Sequence, residues 1–211
     1  MLSSLSLNYA HAPFNKHYIH RITQVVAKSL SHYPRTTVVM LILRLPEYRD
    51  NGDSISALVN LDDGLMSRFI NSIRQKVIAQ TRHKEKNGIR VHPTTLRYLW
   101  VREVCKNGKI HYHVALLVNT QRFHSLGNFN QKAGNLGSFI EEAWLSALDL
   151  GGYPEYRTLV HFLKNSPYYI NAKAPDFHEK FQRLMFRLSY FAKEDSKYYS
   201  KEERSFGCSQ S

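Results

Sequence analysis

The sequence predicts an α+β fold of the split βαβ, or ferredoxin-like, type: an antiparallel sheet with one more helix added at the C-terminal end. Three observations predict it. Through the middle of the chain the apolar periodicity reads strand, helix, strand, strand, helix, strand. The two central strands flank Lys106-Asn107-Gly108-Lys109, in which Asn-Gly is a strong hairpin signal. A further amphipathic segment follows the last strand.

Each element has its own signal. Residues 16–31 place Ile19, Ile22, Val25, Val26 and Leu30 at helical spacing, and Pro34 stops them. Thr36 to Leu45 is β-branched and aliphatic up to Pro46, a buried strand, and a polar loop over 47–60 follows. Leu61 to Thr81 carries Leu65, Phe69, Ile73, Val77 and Ile78 at spacings of three and four, with Asp62 and Asp63 expected in the first turn, where the helix dipole favours anions. Leu96 to Cys105 and Ile110 to Asn119 alternate as hairpin strands. Phe139, Ala143, Trp144 and Leu148 indicate another helix, Thr158 to Phe162 a short strand, and Asp176 to about Lys193 the final helix. The expected division is an N-terminal helical extension over 1–35, the main domain over 36–195 and a tail over 196–211.

At 211 residues, 43% hydrophobic and 12% aromatic, the chain can bury one substantial core, which excludes disorder, collagen and coiled coil. The longest aliphatic run, Val38 to Leu43, falls far short of the roughly 20 residues that span a bilayer, so a soluble protein with no membrane-spanning segment is expected. With only Cys105 and Cys208 and no secretory signal, a reducing cytoplasm is the expected setting. The formal net charge of +12 points to a polyanion such as nucleic acid, or to an anionic membrane surface.

Successive strand side chains alternate between faces, so His111 and His113 point the same way while Ile110, Tyr112, Val114 and Leu116 take the other side. A two-residue Asn107-Gly108 loop would send Glu103 to the wrong face. A three-residue Lys106-Asn107-Gly108 loop, with Gly108 in the left-handed position, pairs Glu103 with His111. Under that register Glu103, His111 and His113 form a candidate metal site for Mg²⁺ or Mn²⁺, with Zn²⁺ also compatible. The competing reading of Glu103 is an exposed acid paired with Lys109 or Arg102.

On the final helix Phe181, Leu184, Leu188, Phe191 and Ala192 make one stripe, and Tyr190 lies on the opposite side with Arg183, Lys193 and Lys197. A phenol is a poor nucleophile until nearby cations favour its phenolate, and Lys193, one turn away, could do that or hold a phosphate. An exposed helix tyrosine that merely covers surface is the alternative. A second Tyr-x-x-Lys, Tyr198-Tyr199-Ser200-Lys201, leaves Tyr198 and Tyr199 as substitutes for Tyr190.

Glu103 eight residues before His111-Tyr112-His113, followed by Tyr190-Phe191-Ala192-Lys193, resembles the set found in HUH endonucleases that initiate rolling-circle replication. Leu188 to Lys193 and Arg204-Ser205-Phe206-Gly207-Cys208 resemble the inovirus-type and prophage initiators more closely. The resemblance spans about residues 36–208. It implies metal ligation by His111, His113 and Glu103, a nucleophilic Tyr190, a positioning Lys193, and site-specific nicking and rejoining of single-stranded DNA at a replication origin. Partners implied are a host helicase and polymerase, since no Gly-x₄-Gly-Lys-Ser/Thr loop occurs here. Arg97, Arg102, Lys106, Lys109, Arg183, Arg187 and Lys197 are the expected DNA contacts. The chain departs from the family pattern at the bulky Tyr112, in having no second tyrosine four residues from Tyr190, and in lacking the family's first-strand signature, so single-tyrosine chemistry is expected. A non-catalytic nucleic-acid-binding module with an RNA-recognition-like sheet, or a relaxase- or transposase-type HUH enzyme, are the alternatives.

Overall fold

β-branched and aliphatic residues build β1 (Arg35–Arg44), which is buried over most of its length. The computed structural model describes residues 5–46, 59–105, 107–128, 134–195, 197, 199 and 204–210. After β1 the elements run α2 (Leu65–Lys86), β2 (Arg97–Val104), β3 (Ile110–Asn119), α3 (Leu136–Ala147), β4 (Val160–Phe162), β5 (Tyr168–Asn171), α4 (Phe177–Leu188) and β6 (Phe206–Cys208), with α1 (Lys16–His32) ahead of it. The sheet order is β4-β1-β3-β2-β6, with β5 also paired to β1. Its first four strands stand in the 4-1-3-2 order of a split βαβ sheet, and the fold is α+β as expected.

The chain separates into two compact units, one of residues 1–42, 93–124 and 162–211, the other of 43–92 and 125–161. In the first, α1 and α4 pack on one sheet face. Ile22, Val26, Leu99, Leu184 and Leu188 are fully buried there in a cluster with Val101, Ala115 and Leu117. At about 1.5–3 kcal/mol for each large aliphatic side chain, this packing holds α1 and α4 in place more than intrinsic helix propensity does. The stretch expected as an N-terminal extension therefore contributes α1 to this core, and the stretch expected as a tail contributes β6, an edge strand on β2.

In the second unit α2 packs on α3. The Phe69 and Trp144 rings meet edge to face at 5.6 Å, and the Trp144 Nε1–H donates to the Arg44 carbonyl. Helix α2 begins later than the periodicity suggested, because Gly64 adopts a left-handed φ of 85° as its N-cap. Asp62 and Asp63 thus precede the helix, and Arg68 Nη1 donates to both of their carbonyls. Ile78, expected on the buried stripe, is exposed. Residues 47–58 of the expected loop lie outside the described residues.

Two further differences shape the functional region. Strand β5 was not expected; it pairs antiparallel with Arg35 to Val38 of β1. The final helix ends at Leu188, and Ser189–Ala192 tighten into a 3₁₀ turn. The N-terminal segment causes this ending by capturing groups that would otherwise continue the helix. Asn15 N–H donates to the Ala192 carbonyl at 2.7 Å, Glu194 N–H donates to the Pro13 carbonyl at 2.9 Å, and Phe14 bridges Lys193.

Candidate metal and tyrosine site

The hairpin register places the first three side chains. Glu103 pairs with His111 and Val104 with Ile110. Cys105 N–H then donates to the Lys109 carbonyl and Gly108 N–H to the Cys105 carbonyl, closing a three-residue loop. Gly108 takes the expected left-handed φ of 77°, which a residue with a Cβ adopts only at a cost. Lys106 lies outside the described residues.

Glu103, His111 and His113 each offer a ligand atom, all within 4.8 Å of one another. The two Nε2 atoms are 3.1 Å apart, and Glu103 Oε2 lies 3.3 Å from His113 Nε2 and 3.7 Å from His111 Nε2. On its far side His111 Nδ1 has Cys105 Sγ at 3.3 Å, a place for its proton that leaves the Nε2 lone pair facing the cluster. Two imidazoles and a carboxylate at this separation fit a divalent cation, and these three residues would hold it.

Two lysines complete the cluster. Lys193 Nζ lies 3.3 Å from Glu103 Oε2, and Lys197 Nζ donates to Glu103 Oε1 at 2.7 Å with its side chain fully buried. Burial alone would raise the Glu103 pKa, but hydrogen bonds from His113 and Lys197 outweigh it and hold the carboxyl far below the usual carboxylate range. Burial lowers the His111 pKa, and the nearby His113 lowers it further, which favours the neutral, ligating imidazole. Burial also pulls Lys197 down, against the opposing pull of Glu103. Lys193 goes the other way: burial would lower it, and the hydrogen bond to Tyr190 with the charge of Glu103 raises it overall, so it stays an ammonium.

Tyr190 joins this cluster through the 3₁₀ turn. Its hydroxyl accepts from Lys193 Nζ at 2.6 Å, and its ring lies 4.9 Å from that of His113. A cavity of about 260 Å³ opens beside it, lined by Asn8, Met40, His113, Phe186 and Arg187 among others. His11, absent from the sequence reading, packs edge to face on Tyr190 at 4.9 Å. Nothing local in the sequence ties residue 11 to residue 190; only the strapping of the N-terminal segment over the turn does so.

The structure thus brings Glu103, His111, His113, Tyr190 and Lys193 together and scatters the expected DNA contacts. Lys197 is not a surface cation, because the chain leaves the helix before it and Glu103 takes its ammonium. Arg97 and Arg102 are buried. Arg183 is exposed and paired with Glu179. Arg187 donates to the Asn165 carbonyl and still lines the Tyr190 cavity. Lys109 is exposed at the hairpin tip. Of the substitute tyrosines, Tyr199 is exposed and donates to Glu194, and Tyr198 lies outside the described residues. None of the described helices is long and apolar enough to cross a membrane.

Residues 3–209 match the YagK/YfjJ C-terminal domain. The chain is 36% identical over 193 residues to the uncharacterized protein YagK of Escherichia coli (strain K12), covering 92% of each. It is 32% identical over 197 residues to the uncharacterized protein YfjJ of the same strain, covering 91% of this chain and 93% of that protein. Among solved structures it is similar to the N-terminal nuclease domain of the minute virus of mice non-structural protein 1, at a TM-score of 0.34 and 13% identity, over 72% of this chain and 74% of that one. At that score the likeness carries no assignment of activity.

Proposed function

The chain belongs to the YagK/YfjJ C-terminal domain family, and we propose that it is a metal-dependent endonuclease and strand transferase of single-stranded DNA, an initiator of rolling-circle replication of the inovirus and prophage type. The observation that carries this reading is the Tyr190 hydroxyl, held by Lys193 Nζ at 2.6 Å beside the Glu103, His111 and His113 cluster. A nucleophile, a cation to hold it and a divalent-metal ligand set then stand within one small region.

In this reading Tyr190 Oη attacks a phosphodiester phosphorus. The Oη–P bond forms, the bond from phosphorus to the 3′ oxygen breaks, and the 5′ side of the strand stays on the tyrosine. The phenol gives up its proton and the departing oxygen gains one, so the step needs no net proton. Lys193 steadies the phenolate oxygen and the phosphate that replaces its proton. Mg²⁺ or Mn²⁺ held by Glu103, His111 and His113 would polarise the scissile phosphate. Because the phosphotyrosine keeps the energy of the broken bond, a 3′ hydroxyl can reverse the attack and rejoin the strand without ATP. A host helicase and polymerase would supply unwinding and synthesis at the origin, and Lys109, Arg183 and Arg187 would contact the strand.

The test is incubation with origin-derived single-stranded oligonucleotides and Mn²⁺, followed by a denaturing gel. A protein-linked oligonucleotide supports the reading. Salt-sensitive binding with no covalent product would replace it with a non-catalytic binding module.

A further inference from the structure

A second cavity, of about 540 Å³, lies between α1 and the far end of β2. Arg97 and Glu103 stand six residues apart on one strand, so at about 3.3 Å per residue this cavity is roughly 20 Å from the metal cluster. Arg21, Gln24, Lys28 and Ser31, three or four residues apart, project into it from one face of α1, opposite Arg97 and Ser209.

Arg97 is the unusual member. It is only 1% exposed. Its Nη2 donates to the Nδ1 of His32 at 2.9 Å. Its Nε and Nη1 have no hydrogen-bond partner. A guanidinium stays protonated in proteins, so it cannot escape burial by losing its charge. Burial pulls its pKa below the usual arginine value, and the nearby Tyr33 offsets only part of that. Arg21 and Lys28 add two more positive charges, and no acidic residue is among those lining the cavity. Arg21 is aimed by its own neighbours, donating to Gln24 Oε1 at 2.9 Å and to Gln210 Oε1 at 2.7 Å.

We propose that this cavity binds a phosphate group, with Arg97 as the buried donor and Arg21 and Lys28 as the charges at its mouth. Three cations converging without a carboxylate match a multiply charged oxyanion better than a single carboxylate. The volume lies within the range of small-molecule sites and leaves room for a nucleoside attached to the phosphate.

The experiment uses the full chain without added metal. Inorganic phosphate, a nucleoside 5′-monophosphate and an oligonucleotide lacking terminal phosphates are each titrated, with sodium chloride at matched ionic strength as the control. Binding is followed by melting temperature and by equilibrium dialysis of labelled phosphate. Phosphate is expected to raise the melting temperature where chloride does not. The response should persist in H111A/H113A, which separates it from the metal cluster. R21Q/K28Q, one change at a half-buried and one at an exposed position of α1, should weaken phosphate at least tenfold, and R97Q should do so further. Tighter binding of the monophosphate assigns the phosphate to a free nucleotide; equal competition by the oligonucleotide assigns it to a DNA strand. Equal responses to phosphate and chloride, or an R21Q/K28Q response equal to that of the unmodified protein, would overturn the proposal.

Discussion

Lys197 and Glu103 meet at 2.7 Å, though 94 residues separate them, with side chains only 0% and 2% exposed. Breaking a buried ion pair by removing one partner leaves the other charged and unpaired, which typically costs about 3–5 kcal/mol. Lys193 and His113 also contact Glu103 and soften that loss. K197M is therefore expected to destabilise the protein by about 3 kcal/mol, read from its denaturant midpoint at an unchanged slope. A change below about 1 kcal/mol would show that the pair behaves as a solvated surface contact.

The same carboxylate sets a pH dependence. Its folded pKa is depressed, so its contribution is fully present above the unfolded value of about 4.3 and is lost as pH falls toward the folded one. His111 is depressed as well, chiefly by burial, so the unfolded chain takes up that proton first, from about pH 6.5 downward. Both effects make acid destabilising, in two successive windows. In metal-free protein, H111A should flatten the upper window and E103Q the lower, measured as unfolding free energy from pH 8 to pH 3. A single loss confined above pH 6 in both variants would contradict the assignment.

For the chemistry, Y190F should abolish the covalent oligonucleotide adduct while leaving the fold intact, since only the hydroxyl that accepts from Lys193 is lost. Y199F should keep the adduct, because that hydroxyl is committed to Glu194. K193A removes the donor aimed at the attacking oxygen and should slow adduct formation by about 10²–10³-fold. An adduct of undiminished yield from Y190F would move the nucleophile elsewhere.

The strand added by the C-terminal stretch makes a sharper structural test. Gly207 pairs with Trp100 across β6 and β2, and a Cβ on it would run into the Trp100 indole ring. A ring packed in a sheet cannot move aside as a flexible side-chain end can. G207A is expected to cost about 1–3 kcal/mol and to alter tryptophan fluorescence. Wild-type stability with unchanged emission would place β6 off the sheet edge.

What could be read from the sequence was what local geometry determines. The Glu103 to His111 register followed from strand alternation and Gly108, both properties of neighbouring residues. The stripe through Leu184 and Leu188 located α4 for the same reason. The periodicity runs on through Phe191 and Ala192, whereas the chain leaves the helix where Glu194 N–H donates to the Pro13 carbonyl and Asn15 N–H to the Ala192 carbonyl, some 180 residues away. His11 over Tyr190 and Lys197 on Glu103 are equally long-range contacts. A lysine seven residues beyond Tyr190 reads as a helix-surface cation until the tertiary structure supplies its carboxylate.

Metal binding brings these contacts into competition. A divalent cation held by Glu103, His111 and His113 must share the carboxylate with two ammonium groups, Lys193 at 3.3 Å and Lys197 at 2.7 Å. Each is a like charge that opposes the metal, while the strand register keeps Glu103 in place without them. Mn²⁺ should therefore stabilise the unmodified protein by up to about 2.7 kcal/mol at 100 times its dissociation constant. H111A/H113A should abolish that gain. K197M, although less stable without metal, should bind Mn²⁺ about tenfold more tightly, a difference of ~1.4 kcal/mol. Titration of free Mn²⁺ by electron paramagnetic resonance reads all three proteins. Weaker binding by K197M would instead make Lys197 the group that holds Glu103 in its ligating position.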